Sequence, residues 1–420
     1  MALADIDTLV VGGGQAGIAG SEHLTGHSVP HLVLEKHRIA EAWRAGRWDS
    51  LVANGPAWDD RFPNLTFAGL DPESFAPKDR IASYLVAYAQ MIAAPIRTGV
   101  EVRRAEARVG ASGFTVETSA GRLIARRLVV AIGAFQTPVT PALAPPVARI
   151  FQCHSYHYKN PAQLLAGAVV VVGAGSSGVQ IADELNRAGK SVTLSVGPHD
   201  RPPRRYRGCD NVWWLGVLGL WDAPAGDTGR QRFTICVSGA RGGATVDFRR
   251  LAGEGVTLVG STQGYANGVL RFTDDLPANL ARGDAGYLAL LDAADAYVAR
   301  TALDLPAEPA AREVCPDPAC VTDPLRALDL AQAGVTAIIW ATGFRQDFGW
   351  LRFDTFGPDG APRHHRGVAA VPGVYFLGLP WQTCRASSFI CGVWRDAQYI
   401  AGHIAADRRY QAYRPGVGGR

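Results

Sequence analysis

Two segments of the chain share one pattern of apolar and polar positions. Residues 169–172 are four consecutive valines, and residues 8–11 read Thr-Leu-Val-Val. Each run leads into a glycine-rich turn, and each turn leads into a segment with apolar residues at helical spacing, such as VQIADELNRAGK at 179–190. An unbroken apolar run is typical of a strand buried on both faces of a parallel sheet. The pattern therefore predicts two strand–turn–helix units.

Both turns have the spacing Gly-x-Gly-x-x-Gly. In a dinucleotide-binding turn, the first glycine permits the tight turn, the second lets the backbone approach a pyrophosphate, and the third lets the helix pack closely on the strand. The phosphates then lie at the helix N-terminus, where free N–H groups favour negative charge. Two such turns predict two dinucleotide sites, and the alternative is two glycine-rich turns of an ordinary parallel sheet. The predicted cofactor-binding residues of the turns are Gly12, Gly14 and Gly17, and then Gly173, Gly175, Ser176 and Gly178.

The rest of the pattern completes both units. A strand at 31–35, a helix at 78–95 and strands between 99 and 131 follow the first turn, while strands between 233 and 273 and a helix at 284–304 follow the second. This order predicts an α/β fold with two Rossmann-like dinucleotide-binding domains, the second inserted in the first. The predicted boundaries are 1–165 with 325–420 for the first domain, and 166–324 for the second.

The strand that follows each turn ends differently. The first ends at Glu35, where an acid can hold ribose hydroxyls, and the second ends at Ser195 with several arginines after it, Arg204 and Arg205 among them. An acid would repel a 2′-phosphate, whereas a small hydroxyl and arginines would bind one. The contrast predicts FAD at the first turn and NADPH at the second. The alternative for the arginines is a basic surface loop, and for Glu35 a solvated carboxylate at a strand end.

Composition narrows the class of protein. The chain has 420 residues, 47% of them apolar and 19% charged, with a net charge of +4. These values are typical of a globular enzyme and do not favour nucleic acid or a membrane as the partner. Seven cysteines with scattered spacing predict reduced thiols and a cytoplasmic protein. No Cys-x-x-C pair is present, which argues against a dithiol reductase, and no metal-ligand cluster is expected.

Further motifs carry a resemblance to a known family. The segment 41–64 contains Trp43, then Arg47-Trp48-Asp49, then Asn54-Gly55-Pro56. A strand from 334 enters Ala341-Thr342-Gly343, and residues 373–404 follow the order strand, loop, helix, with Gly378 in the loop. Together with the two turns, these motifs resemble the class B flavin-containing monooxygenases and their Baeyer–Villiger relatives. The family's linking motif is only half present: His154 and Tyr158 match, but Ala148 and Ile150 stand where the family has Phe and Gly.

The resemblance implies an activity and a set of site residues. It implies that NADPH reduces FAD, that the reduced flavin forms a C4a-hydroperoxide with O₂, and that a small organic substrate is oxygenated at nitrogen, at sulfur or as a ketone. Asn54 would lie beside the flavin ring as the predicted catalytic residue, although Asn-Gly-Pro is also an ordinary turn. The alternatives are an NAD(P)H-dependent flavin reductase or oxidase that releases hydrogen peroxide, and a nucleotide-sensing flavoprotein with negligible turnover. The expected partners are a small-molecule substrate and O₂. The sequence leaves open whether the protein forms a homodimer. The cofactor-binding residues implied by the resemblance are Trp43, Arg47, Trp48, Ala341, Thr342, Gly343 and Gly378.

Overall fold

The structure, a computed structural model, describes residues 4–142, 149–224 and 235–413. The predicted motif position Ala148 lies outside these residues.

The strands are β1 Ala4–Val11, β2 His31–Glu35, β3 Ile96–Thr98, β4 Val102–Ala107, β5 Phe114–Thr118, β6 Gly121–Val130, β7 Thr137–Pro138, β8 Phe151–His154, β9 Ala168–Val172, β10 Val192–Ser195, β11 Arg205–Tyr206, β12 Cys209–Asp210, β13 Thr257–Val259, β14 Thr262–Ala266, β15 Val269–Phe272, β16 Ala327–Asp329, β17 Val335–Trp340, β18 Phe344–Arg345, β19 Leu351–Arg352, β20 His364–His365, β21 Val368–Ala369 and β22 Val374–Phe376.

The helices alternate with these strands. They are α1 Gln15–Gly26, α2 Glu41–Ala45, α3 Lys78–Met91, α4 Ser176–Arg187, α5 Asn211–Val217, α6 Phe248–Gly253, α7 Leu276–Thr301, α8 Ala319–Thr322 and α9 Ile390–Ala412. Short 3-10 turns lie at Pro161–Gln163, Ala240–Gly242, Pro309–Arg312 and Arg385–Ser388. None of the helices in the described part of the chain is long and apolar enough to cross a membrane.

The first sheet is built around β1. Strands β3, β2, β1, β6 and β22 lie side by side and parallel, and the antiparallel strands β4 and β5 extend the sheet from β6. Alternate residues of β1 face opposite sides: Val10 packs with the helices, while Leu9 and Val11 pack with the β4–β5 side. Both faces are therefore covered, as the unbroken apolar pattern predicted.

The second sheet is entirely parallel, in the order β13-β10-β9-β17-β8. The valines of β9 again divide between two faces, with Val169 and Val171 against α4 and α6, and Val170 and Val172 against the β14–β16 sheet. The α/β fold class predicted from the sequence is confirmed. Each sheet has one glycine turn at the carboxyl end of its central strand, where such folds bind ligands.

Strand pairing places more of the chain in the second sheet than the sequence indicated. Strand β8 lies before residue 166 and β17 lies after residue 324, yet both pair within the second sheet. Strand β16 also lies after residue 324, and it pairs with β15. The sequence did not indicate these pairings, because the strands come from the segments that connect the domains and their partners are distant in sequence.

Candidate active site

The first glycine turn joins β1 to α1, and its three glycines meet different surroundings. Gly12 has φ +114°, and a methyl group there would lie against the Ala131 carbonyl at the end of β6. A methyl carbon on Gly17 would lie 1.9 Å from the Gly12 oxygen, so only glycine lets α1 approach β1 this closely. A methyl on Gly14 would meet no atom within 4 Å. The turn thus has a tight base and an open space over Gly14, which fits a pyrophosphate at the N-terminus of α1.

Glu35 lies at the end of β2 beside this turn. Its Oε2 accepts from the Gly13 N–H at 2.7 Å, and its Oε1 accepts from the His37 N–H at 2.8 Å. Two backbone donors fix the carboxylate, and each oxygen keeps a second lone pair. The arrangement suits the hydrogen bonds that an adenosine ribose would donate.

Gly378 and Trp43 also lie near the first turn. Gly378 has φ +83°, and a methyl there would lie 2.9 Å from the Ala16 methyl group of α1. The Trp43 indole donates to the Gln15 side chain at 3.3 Å, and Gln15 in turn donates to the Ser388 carbonyl at 2.8 Å. Gln15, which sequence reasoning missed, therefore connects the first turn to the segment before α9.

Arg47 lies over two aromatic rings. Its guanidinium carbon is 5.6 Å from the Trp43 ring centroid and 5.3 Å from that of Phe135. Burial lowers the pKa of Arg47. One of its N–H groups donates to the Gly46 carbonyl at 3.0 Å. A guanidinium stacked on aromatic rings can still direct its other N–H groups to an anion such as a phosphate.

The second glycine turn, between β9 and α4, repeats the construction of the first. A methyl on Gly173 would lie 2.5 Å from the Ala341 oxygen, and one on Gly178 would collide with the Gly173 oxygen. Ala341 follows β17 as Ala131 follows β6, so both turns contact the next strand of their own sheet. Gly175 is extended at the N-cap of α4. This second turn fits a second dinucleotide.

The residues around the second turn are fixed by the protein itself. The Thr342 hydroxyl donates to the Val139 carbonyl, and the Gly343 carbonyl lies 2.9 Å from His154 Nε2. Burial lowers the pKa of His154, which supports a structural role for this histidine. The Ser176 hydroxyl and backbone N–H both donate to the Ile235 carbonyl. The Ser176 donors are therefore occupied by segment 235–237 in this structure, and the binding of a cofactor by Ser176 stays a prediction.

Two predicted phosphate ligands have internal partners instead. Ser195 is 2% exposed, and its hydroxyl donates to the Gly260 carbonyl and accepts from Thr262, at 2.9 Å each. Arg204 is also 2% exposed and forms a buried ion pair with Asp210. Neither side chain is available to a 2′-phosphate, so both predictions are wrong. Arg205 remains exposed, with one 3.3 Å hydrogen bond to the Gly242 carbonyl.

Trp48 belongs to a hydrophobic core rather than to a cofactor surface. It is 4% exposed and packs with Leu51, Tyr158 and the valines of β9. The prediction that it contacts the cofactor is wrong, because its ring is covered by the second domain. Trp48 instead attaches segment 41–64 to that domain.

Asn54 lies where the two domains meet. Its Oδ1 accepts from Gln180 Nε2 of α4 at 3.0 Å, and its backbone carbonyl accepts from the Arg204 guanidinium at 2.5 Å. Both donors come from the second domain, whereas Asn54 belongs to the first. Sequence reasoning missed Gln180 and the structural role of Arg204, because neither belongs to a motif.

Two neighbouring carboxyl groups lie in the same loop as Asn54. The Gly55 N–H donates to Asp60 Oδ2 at 3.1 Å, and Asp59 contacts the Cys391 thiol at the start of α9. Burial raises the pKa of Asp60 to about 7, with a contribution from Asp59, and burial raises that of Asp59 to about 6. The sequence feature that could have indicated these buried carboxyl groups is the pair Asp59-Asp60, which directly follows Trp58.

Comparisons with known proteins agree with this geometry. Residues 9–206 match the family model described as pyridine nucleotide-disulphide oxidoreductase. The oxidoreductase CzcO-like of Geobacillus kaustophilus is 32% identical over 404 residues, which cover 95% of this chain and 98% of that protein. The indole-3-pyruvate monooxygenase YUCCA1 of Oryza sativa subsp. japonica is 31% identical over 45% of this chain and 47% of its own length. The solved flavin-containing monooxygenase from Stenotrophomonas maltophilia has a TM-score of 0.66 at 20% identity, over 97% of this chain and all of that one.

The near full-length match to the CzcO-like oxidoreductase shows the family of this chain. A solved steroid monooxygenase that shares this fold, with a TM-score of 0.56 at 17% identity, is bound to NADP. The two glycine turns, with their tight bases, fit two dinucleotides. The chain therefore belongs to the family of the CzcO-like oxidoreductases, is an oxidoreductase, and shares its fold with solved flavin monooxygenases.

Proposed function

We propose that this protein uses NADPH and O₂ to oxygenate a small organic substrate beside Asn54. When bound at the first turn, FAD would accept hydride and activate oxygen, which is chemistry that a cofactor supplies rather than the protein. The chain would bind the cofactors, orient them and exclude water. The observation that carries the proposal is that Asn54, in the first domain, is held through both its side chain and its carbonyl by the second domain.

The Gln180 contact orients the Asn54 amide. Because Oδ1 accepts from Gln180, the Nδ2 group points the other way and can donate two hydrogen bonds. Among the hydrogen bonds of the described residues, none has Asn54 Nδ2 as its donor. Amide donors held in place in this way can stabilise developing negative charge without reorganising during the reaction.

NADPH is proposed as the preferred nucleotide over NADH. Strand β10 ends at Ser195 and continues into Val196 and Gly197, so no carboxylate stands where one would repel a 2′-phosphate. Arg205 is the remaining candidate for that phosphate among the predicted arginines, since Arg204 is paired with Asp210.

The substrate class is tested with one member of each chemistry represented among the similar proteins. Those proteins include an indole-3-pyruvate monooxygenase, an S-allyl-L-cysteine S-oxygenase and a cyclohexanone monooxygenase. A 2-oxo acid, a sulfide and a ketone represent these three, a tertiary amine is added for the N-oxygenation that the resemblance implies, and each compound is supplied with NADPH and air. The measured quantity is the coupling ratio, the oxygenated product formed per NADPH consumed. The proposal expects a measurable ratio for at least one compound.

A flavin oxidase that releases hydrogen peroxide is the second candidate. The absence of the Phe and Gly of the family's linking motif, at Ala148 and Ile150, favours it. Peroxide equal to the NADPH consumed with every compound would select this candidate. Absence of NADPH consumption in FAD-loaded protein would select a nucleotide-sensing flavoprotein instead.

Replacing Asn54 tests the role of its amide. Asn54→Ala keeps the backbone bond to Arg204 and loses the side chain, so NADPH consumption is expected to continue while the coupling ratio falls about tenfold, equivalent to about 1.4 kcal/mol. Asn64→Ala is the matched control, since Asn64 is an exposed asparagine of the same segment that bonds Glu22. An unchanged coupling ratio in Asn54→Ala refutes the role assigned to this residue.

A further inference from the structure

Residues 235–237, which we call the strap, lie across the second glycine turn. At the N-terminus of α4, the Ile235 carbonyl accepts from the Ser176 backbone N–H at 2.9 Å and from the Ser176 hydroxyl at 2.7 Å. The Val237 N–H in turn donates to the same hydroxyl at 3.2 Å. A phosphate at a helix N-terminus binds to backbone N–H groups of this kind. In this structure, a backbone carbonyl with its partial negative charge has taken that position.

The strap also joins the two strand ends beside this turn. The Cys236 thiol donates to the Ala174 carbonyl, which follows β9 in the turn itself. The Cys236 N–H donates to the Asp200 carbonyl at 2.8 Å, in the segment after β10. In dinucleotide-binding folds, the pyrophosphate and the adenosine ribose lie at these two strand ends. Because Cys236 is fully buried, the strap packs directly against the surface that a nucleotide would use.

The first glycine turn differs from the second at the corresponding donor. Gln15 begins α1 as Ser176 begins α4. Among the hydrogen bonds of the described residues, none has the Gln15 N–H as its donor. The two turns have the same glycine spacing, so the difference arises from the strap and not from the turn. The first turn is therefore open at this donor, and the second is closed.

The chain that follows the strap is held by the first domain. A methyl group on Gly239 would lie 2.1 Å from the Ala53 oxygen, so this part of the chain fits tightly against the loop that carries Asn54. Gln180 Nε2 donates to the Val237 carbonyl at 2.9 Å as well as to Asn54. A strap that is held at this end stays close to the turn when it is displaced, and its high effective concentration favours its return when the turn is free.

We propose that the strap is an autoinhibitory segment, which closes the second turn in the nucleotide-free protein and has to be displaced before a dinucleotide can bind there. On displacement, the Ser176 N–H exchanges the Ile235 carbonyl for a phosphate oxygen, and no covalent bond changes. The apparent affinity for the nucleotide is lowered by the fraction of molecules in which the strap is closed. That NADPH is the displacing nucleotide rests on the proposed function.

Hydrogen–deuterium exchange of the FAD-loaded protein tests the displacement. Without nucleotide, the amides of Cys236 and Val237 are bonded to Asp200 and Ser176 and should exchange slowly. With saturating NADP⁺ they should exchange about tenfold faster, because displacement separates them from these acceptors. A ligand that only covered the strap would slow their exchange, so the sign of the change is decisive. The Val196 amide, bonded within the second sheet, is the internal control and should not exchange faster.

Cys236→Ala tests whether the strap limits the affinity for the nucleotide. The change removes the thiol that bonds Ala174 and leaves the backbone of the turn intact. The dissociation constant for NADP⁺, measured by isothermal titration calorimetry, is expected to fall about fivefold, as for the loss of one net hydrogen bond from the closed state. Cys320→Ala is the matched control, because Cys320 of α8 packs against the same hydrophobic core, and it should bind NADP⁺ as the wild type does.

Both measurements use the binding of NADP⁺ and need no turnover. Unchanged or slower exchange of the strap amides in NADP⁺-bound wild type would overturn the proposal, whether or not Cys236→Ala folds. An unchanged or higher dissociation constant in folded Cys236→Ala would show that the strap does not compete with the nucleotide. If neither protein binds NADP⁺, the strap excludes no nucleotide, and this proposal and the use of NADPH both fail. Faster exchange on NADP⁺ binding, without oxygenated product from any compound, would support the strap and refute only the oxygenation.

Discussion

Exchanging single glycines of the first turn separates folding from cofactor binding. Gly14→Ala places a methyl group in open space, whereas Gly17→Ala places one 1.9 Å from the Gly12 oxygen. If the space over Gly14 receives the pyrophosphate of FAD, the first change should impair binding alone. The second should impair the fold and, through it, binding.

The magnitudes follow from these surroundings. Atoms cannot approach to 1.9 Å, so α1 and β1 would have to separate by more than an ångström, and overpacking of this kind costs about 3 kcal/mol or more. Gly14 is the N-cap of α1 with φ −87°, a conformation that alanine can adopt. Its replacement should cost at most about 1 kcal/mol, because alanine is the poorer N-cap residue. A methyl group facing the pyrophosphate should weaken FAD binding by at least tenfold, or about 1.4 kcal/mol.

The assay uses the FAD-free protein and titration with FAD. Melting temperature without FAD reports the fold, and flavin fluorescence during titration reports the dissociation constant. Gly26→Ala is the control, because Gly26 ends the same helix and a methyl there meets no atom within 4 Å. Gly14→Ala that binds FAD as tightly as the wild type would refute the pyrophosphate position. Gly17→Ala with a wild-type melting temperature would refute the packing argument.

Two further changes address the strand ends of the two sheets. Glu35→Gln should weaken FAD binding about tenfold in the same titration, because a hydrogen bond to a charged group contributes roughly 1.5–3 kcal/mol; an unchanged dissociation constant would show that Glu35 does not contact the ribose. If Arg205 binds the 2′-phosphate, Arg205→Ala should raise KM for NADPH about tenfold and leave KM for NADH unchanged. Ser195→Ala should leave the ratio of the NADPH KM to the NADH KM unchanged, because the Ser195 hydroxyl bonds Gly260 and Thr262 instead. Equal effects on both nucleotides would exclude Arg205 from that role.

The parts of the site that the sequence predicted are those that depend on neighbours in the chain. The strand, turn and helix of each unit are contiguous, and the steric need for Gly12 and Gly17 arises within a few residues or at the adjacent strand. An unbroken apolar run likewise indicates a strand that is buried on both faces, as β1 and β9 are. Local patterns are thus sufficient for the fold class and for the turns.

The contacts that the sequence did not indicate depend on partners distant in sequence. The Ser195 hydroxyl donates to a carbonyl 65 residues away, and the Ser176 hydroxyl to one 59 residues away. Arg204 looked like one of several basic residues in a loop, yet its carbonyl partner is Asn54, 150 residues earlier. The type of a side chain indicates what it can bind, but the tertiary structure determines which partner lies within hydrogen-bond distance.

Asn54 shows how such distant contacts join the two cofactor sites. Helix α4 begins directly after Gly175 at the second turn, and the same helix carries Gln180, which bonds the Asn54 amide at 3.0 Å. A helix moves as a rigid unit over so short a length, so a displacement of about 1 Å at its N-terminus would carry Gln180 beyond hydrogen-bond distance. The segment after β10 supplies Arg204 to the same residue. The orientation of Asn54 is therefore set by α4 and by the segment that follows β10. On the proposed function, this would couple the position of the nicotinamide nucleotide to the geometry beside the flavin.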